Sequence, residues 1–306
     1  MKNNIVVGAL IASLLAFVVY TSTNKDAEMR KVTVVQVKKS GKVKKTVSST
    51  DKEPNVNSIE YDNQVKSSKG SDKQLVKAIK KAMGQDVSYQ VAAYDLNKSS
   101  HFAEVTNTKS GQDSQKIFYL YLLLALYAQE KSGKIGASTT IKVTKADKAG
   151  TSTAIAVGIS YGPSYLREQM LKGNKTAANA LLRTIRTKQV NKILKQLGAS
   201  QTKLTGTFSK SVVGKTTASD LAKIMVSIYQ DQGKLVGSYN QQVLTAMTGK
   251  TKLASKAKGT IYQYADGNLE VALISNNGHN YVVSAWSSKT DDFVSLGQAV
   301  KQVMEK

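Results

Sequence analysis

An aspartate, a serine and a lysine fall together at Asp113-Ser114-Gln115-Lys116, just before a run from Ile117 to Ala128 that is apolar on nearly every face. These residue types can supply a nucleophile and a base, because a hydroxyl attacks an acyl carbon when a basic group one helical turn away takes its proton. The run that follows reads as a helix buried in the centre of a domain. Spacing limits the chemistry. Ser114 and Lys116 are two residues apart and point in different directions on a helix, whereas Asp113 and Lys116 share a face. The pattern predicts an Asp113–Lys116 ion pair at the helix start, where a carboxylate also favours the positive end of the dipole.

Three later segments carry further polar chemistry in a fixed order. They are Met170-Leu-Lys-Gly-Asn-Lys-Thr-Ala-Ala-Asn-Ala-Leu-Leu182, Lys215-Thr-Thr-Ala-Ser-Asp-Leu-Ala222 and Lys256-Ala-Lys-Gly-Thr-Ile261. With the apolar helix, this series resembles the class A β-lactamases and related penicillin-recognising serine hydrolases, whose signature is S-x-x-K, then S-D-N followed by Thr-Ala-Ala-Asn, then K-T-G on a strand. The resemblance runs over roughly residues 72 to 306 and implies a three-layer α/β/α fold of the α+β class, with helices on both faces of an antiparallel five-stranded sheet. It also implies serine hydrolysis without a cofactor, and ligands of the acyl-D-alanyl-D-alanine type found in peptidoglycan.

The chain departs from the family's motifs at their reactive positions. Placing Lys116 on the family lysine puts Asp113 where the serine stands. The S-D-N falls on Gly173-Asn174-Lys175, and the K-T-G-T falls on Ala257-Lys258-Gly259-Thr260. Thr176-Ala-Ala-Asn179, Gly259 and Thr260, which shape backbone and packing, are retained. The family's loop glutamate, which activates water for deacylation, has no counterpart, since Thr202 to Lys215 contains no carboxylate. The expectation is a non-hydrolytic domain whose remnant cleft is lined by Asp113, Ser114, Lys116, Asn174, Lys175 and Lys258, with Lys258, Gly259 and Thr260 binding ligand. The alternative is an active hydrolase in which a local bulge brings Ser114 to Lys116, Lys175 transfers protons and Lys258 holds a substrate carboxylate.

Other motifs carry less. S-x-x-K recurs at Ser49–Lys52, Ser200–Lys203 and Ser255–Lys258, and none of these opens a buried helix. Tyr61-Asp62-Asn63 mimics part of the second motif but precedes the domain. His101 and His279 are the only histidines and lie far apart without acid-rich partners, so neither a metal site nor a Ser-His-Asp triad is indicated. Tyr281 and Trp286 on the last strand are expected to pack against a helix, with sugar stacking as the alternative role.

The elements that must position these groups can be read from periodicity. Ser71 is a candidate cap for a helix ending at Gly84, with Leu75, Val76, Ile79 and Met83 as its apolar stripe. Ser88 to Leu96 and His101 to Val105 alternate as a hairpin. Thr217-x-x-Asp220 is a capping box opening a helix to about Gln232. Strands are expected over Gly259–Tyr264, Leu269–Ser275 and Tyr281–Ser287, followed by a helix from Asp292 whose stripe of Phe293, Leu296, Val300 and Val303 pairs with the first helix.

The 306 residues divide into an N-terminal segment (1–24), a polar basic stalk (25–70) and one domain (71–306). Ile5 to Tyr20 is apolar except for Ser13, which reads as an uncleaved signal anchor or a signal peptide. Either would place the domain outside the cytoplasm. Lys25, Arg30, Lys31, Lys38 and Lys39 just beyond the run oppose that orientation, but long domains translocate largely regardless of charge. Within the stalk, Val32–Val37 and Val43–Val47 are a marginal hairpin candidate, with a disordered spacer as the favoured reading. Net charge is +23, with 44 basic residues against 21 acidic. The stalk holds only 11 against 6, so the excess sits mainly in the domain. Such an excess attracts polyanions. At a cell envelope these are anionic wall polymers, whereas scattered lysines without a recognition motif argue against nucleic acid.

Overall fold

The apolar run forms a helix with no solvent face, since every residue from Ile117 to Gln129 is buried. The computed structural model describes residues 64–108, 111–230 and 235–306. Strand β1 (Lys66–Ser67) leads into helix α1 (Lys73–Met83) and the hairpin of β2 (Tyr89–Asp95) and β3 (Phe102–Thr106). Strand β4 (Gln112–Ser114) runs almost directly into the central helix α2 (Lys116–Lys131). The paired strands β5 (Ile141–Lys142) and β6 (Ser160–Tyr161) are followed by α3 (Pro163–Leu171), α4 (Lys175–Ile185) and α5 (Thr187–Gln196). Next come β7 (Lys203–Leu204), β8 (Gly214–Thr216), α6 (Ala218–Tyr229) and α7 (Asn240–Thr245). The chain closes with β9 (Thr260–Asp266), β10 (Leu269–Asn276), β11 (His279–Ser287) and α8 (Phe293–Met304).

The main sheet has the order β1-β3-β2-β11-β10-β9, with antiparallel pairing throughout. It has six strands, because Lys66 and Ser67, at the end of the expected stalk, pair with Thr106 and Val105. Helices α1 and α8 cover one face, where Leu75, Ile79 and Met83 join Phe293, Leu296 and Val300 over Tyr89, Val91 and Val283. Burying each of these large side chains contributes about 2 kcal/mol. Helices α2 and α6 cover the other face, over Ala92, Val271, Leu273 and Val282. This is the three-layer α+β arrangement that the sequence pattern implied.

Local details differ from expectation where side-chain hydrogen bonding decides. Asp72, not Ser71, caps α1 by accepting from the Gln74 and Leu75 N–H groups. Ser71 Oγ instead accepts from the Glu104 N–H. Half of the predicted box forms at α6: Thr217 Oγ1 accepts from the Asp220 N–H, while the Asp220 carboxylate turns to the Gln201 N–H and the Thr202 hydroxyl. Tyr281 and Trp286 face opposite sides of the sheet, Tyr281 among α1 and α8 and Trp286 toward the layer of α2 and α6. The apolar run 5–20, the hairpin candidate, Ser49–Lys52 and Tyr61-Asp62-Asn63 lie outside the described residues. Among the described residues no helix is long and apolar enough to cross a membrane.

Candidate functional site

Strand β9 meets the opening of α2 through its last residue, Asp266. The Asp266 Oδ2 atom accepts three hydrogen bonds of 2.7 Å, from Ser114 Oγ and from the backbone N–H groups of Gln115 and Lys116. Ser114 Oγ in turn accepts from the Ile117 N–H at 3.3 Å. The first N–H groups of a helix have no partner within it, and an ionised carboxylate there satisfies them while meeting the positive end of the dipole. Gln115, in the cap position, makes no side-chain cap bond of its own. The cap therefore comes from another part of the chain.

The predicted Asp113–Lys116 pair does not form. Asp113 lies on β4, outside the helix, and its carboxylate faces Lys215 on the neighbouring β8 at 3.7 Å. A strand residue does not follow the helical spacing that would bring it onto the face of Lys116. Lys116 is the first residue of α2 and is exposed, with no acidic partner among the described residues. Ser114 is only 4% exposed. The carboxylate expected at the helix start is present, but Asp266 supplies it.

One turn into α2, where a base would serve a hydroxyl at the helix start, stands Tyr119. Its ring stacks on Phe208 at 4.6 Å between centroids with 9° between the planes, and both residues are buried. Burial, with the Asp266 charge beside it, pushes the Tyr119 phenol up. The Tyr264 phenol on β9 is pushed up to about 12, first by burial and then by the charges of Asp266 and Tyr119. Phe208 belongs to the carboxylate-free loop between β7 and β8. Its N–H donates to Asn179 Oδ1 at 2.8 Å, while Asn179 Nδ2 donates to the Asp147 carbonyl and to Ser209 Oγ. The retained Thr176-Ala-Ala-Asn179 thus anchors the loop that delivers Phe208 to Tyr119.

Asn174 is buried and caps α4. Its Oδ1 accepts from the Ala177 N–H at 3.0 Å, and its Nδ2 donates to Ser152 Oγ at 2.9 Å. Both ends of the amide are committed to structure. Lys175 begins α4 half-buried, with no acidic partner among the described residues. Lys258, Gly259 and Thr260 are not brought to the α2 opening. Thr260 starts β9 and pairs with Ser275, six residues from Asp266 and so about 20 Å away along the strand. Gly259 has φ +90° and presses against the Ser275 carbonyl, a close approach that explains the glycine without a ligand. The strand segment that does reach α2 is Tyr264-Ala265-Asp266, which contains no lysine.

Asp266, Tyr119, Phe208 and Tyr264 were not singled out by the sequence. An Asp266-Gly267 turn between two apolar strands is a hairpin signal that would have extended β9 to Asp266. Tyr119 and Phe208 gave no signal beyond apolarity. A separate cavity of about 390 Å³ lies between β3 and the start of α6, lined by Gln90, Glu104, Thr106, Gln201, Thr217 and Ser219. Neither Ser114 nor Asp266 lines it. Glu104 there ties the sheet to α6, accepting from Tyr94, from Ser219 Oγ at 2.6 Å and from Lys223 Nζ at 2.8 Å. Burial alone would raise its carboxyl, but these donors outweigh it and hold it below the usual range.

The model of the β-lactamase enzyme family matches residues 73–304. The chain belongs to the β-lactamase enzyme family. Its fold resembles those of solved family structures, including PBP-A, with a TM-score of 0.63 at 16% identity over 77% of this chain and 96% of that one. The β-lactamase from Sphaerobacter thermophilus aligns with a TM-score of 0.58 at 14% identity, over 76% and 94% of the two chains. The TLA-1 extended-spectrum β-lactamase gives 0.58 at 15% identity, over 76% and 97%. At these identities the likeness concerns the β-lactamase fold alone. Comparison with curated proteins gave no significant match.

Proposed function

We propose that this β-lactamase-fold domain binds a cell-wall component, peptidoglycan or an anionic wall polymer, without hydrolysing it, and that the N-terminal apolar segment holds it at the outer face of a membrane. One observation carries the reading. Where a serine hydrolase of this fold needs a free hydroxyl and a base one turn later, this chain has a helix start capped by Asp266 and a buried Tyr119–Phe208 stack. The cap directs the Ser114 proton to a carboxylate oxygen that already accepts two N–H groups. That oxygen is held in the cap, and the position one turn into α2 carries Tyr119 in place of a basic side chain. The loop that would position water for deacylation presents Phe208 in place of a carboxylate. Lys116 and Lys175, without acidic partners among the described residues, are cations available to an anionic group of a wall ligand.

A second reading, an active serine hydrolase acting on β-lactams or cell-wall peptides, draws on the 2.7 Å bond from Ser114 Oγ to Asp266. In that reading Ser114 is the nucleophile and Asp266 receives its proton. A PBP-A structure is described as an acyl-enzyme complex with penicillin G, so acylation is chemistry that this fold supports in a relative. Intact-mass spectrometry of the full chain after incubation with a fluorescent penicillin, beside a chromogenic β-lactam turnover assay, separates the two. The proposal expects neither adduct nor turnover. A covalent adduct that disappears in Ser114→Ala would overturn it.

A further inference from the structure

Helix α1 carries Lys73, Lys77, Lys80 and Lys81, and Lys66 and Lys69 precede it closely. All six are exposed, and none has an acidic partner among the described residues. The acid within this stretch, Asp72, is occupied in capping the helix through the Gln74 and Leu75 N–H groups. No acidic side chain lies in the first turn, and Lys73 stands against the positive end of the dipole. Lys73 and Lys77, like Lys77 and Lys81, are like charges four residues apart, an arrangement that destabilises a helix. Lys80 and Lys81 meet the negative end of the dipole in the last turn, but Lys73 and Lys77 have no such compensation, and no carboxylate among the described residues pairs with any of the six. Leu75, Ile79 and Met83 hold the opposite stripe of α1 on the sheet, so the lysine face is fixed toward solvent.

The face is also shaped. Lys73, Lys77 and Lys80 line a surface hollow of about 350 Å³ together with Ser67, Ser71 and Val76. The spacing places successive ammonium groups along a helix about 16 Å long. A chain bearing repeated negative charges can meet them one after another, whereas a single small anion can meet only one or two. We propose that the α1 face, with Lys66 and Lys69, is the docking surface for a linear polyanion that repeats phosphate charges along its length. This names the surface for the anionic partner and rests on the envelope reading only for which natural polymer is bound. It does not depend on whether the centre at Ser114 is hydrolytic.

Helix α5 supplies an internal control, because Lys188, Lys192 and Lys195 repeat the spacing of Lys73, Lys77 and Lys80 on another exposed face. The full chain in detergent is titrated with long-chain inorganic polyphosphate at low and moderate salt. The variants are K73Q/K77Q/K80Q and K188Q/K192Q/K195Q, which lose the same net charge, and thermal melts establish that both remain folded. The α1 variant should bind at least about tenfold more weakly, with a shallower dependence on salt, and the α5 variant within about threefold of the parent. Equal weakening by both variants would reduce the effect to net charge and overturn the proposal, as would a parent chain that does not bind polyphosphate. Lysine-dependent binding to vesicles of anionic phospholipid that polyphosphate fails to displace would also overturn it, assigning the face to a membrane. The penicillin experiment reads the Ser114 centre separately, so either idea can fail without the other.

Discussion

Ser114 and Asp266 are 152 positions apart in the chain, yet the Ser114 hydroxyl donates to the Asp266 carboxylate at 2.7 Å. The contact joins the last residue of β9 to the last residue of β4, just ahead of α2, fastening the edge of the main sheet to the start of the central helix. It also fixes what the serine can do. A hydroxyl that donates to a carboxylate and accepts from the Ile117 N–H is arranged as part of a helix cap.

The cap should be visible in stability. Asp266→Ala removes the acceptor of three hydrogen bonds and is expected to cost about 2–3 kcal/mol, with Asp266→Asn costing about 1 kcal/mol because an amide oxygen can still accept. For a domain of this size the alanine variant should melt about 4–12 °C lower. A double-mutant cycle with Ser114→Ala should give a coupling of about 1 kcal/mol. Independent, additive effects would show that the contact contributes nothing to the fold.

The Tyr119–Phe208 stack leads to a different expectation. Phe208→Ala should destabilise by about 3–4 kcal/mol through lost burial and the cavity left behind. It should not produce β-lactam turnover, because the loop still lacks a carboxylate. Urea unfolding measures the first effect and a chromogenic β-lactam the second. Turnover in the variant would mean that the stack merely blocks a competent centre.

Gly259 and Lys258 separate a structural motif from a ligand-binding one. At φ +90° and against the Ser275 carbonyl, Gly259→Ala is expected to cost about 2–3 kcal/mol. Exposed Lys258→Ala should stay within about 0.5 kcal/mol. Neither change should alter ligand binding near Ser114. If Lys258→Ala abolished binding of wall fragments without changing stability, the third motif would belong where its Lys-Gly-Thr sequence first suggested.

The parts of this molecule legible from sequence are those that depend on local periodicity. The buried α2, the α1 and α8 stripes and the β2–β3 hairpin follow from which side chains must leave water, and short-range spacing records that. Motif order likewise pointed to the fold. The candidate site was less legible because its contacts are long-range. Nothing near Ser114 announces that Asp266 will cap the helix, and Asp113 looked like the natural carboxylate because it was adjacent. Short motifs record composition without position: Lys258-Gly259-Thr260 matches in composition, but Thr260 opens the seven-residue β9, at the opposite end from the point where that strand reaches α2.

The Asp147–Arg183 pair makes stability respond to acid. Asp147 is 2% exposed, and its carboxylate accepts from Arg183 Nε at 2.9 and 3.2 Å, from Arg183 Nη2 at 3.0 Å, and from the N–H and hydroxyl of Thr144. Burial alone would raise this carboxyl, but the Arg183 and Thr144 donors outweigh it and hold it below the usual carboxylate range. The unfolded chain therefore takes up the proton first, near the ordinary value of about 4. The pair's contribution is complete above that pH and is lost as pH falls through the lower, folded value. Asp147→Asn should cost about 1–2 kcal/mol at pH 7, through the weakened hydrogen bonds of the buried side chain, since the exposed Arg183 guanidinium remains solvated. Urea unfolding at pH 7 and near pH 3 should show the gap between parent and variant narrowing in acid, and a gap that stayed constant would mean that Asp147 is not the titrating group.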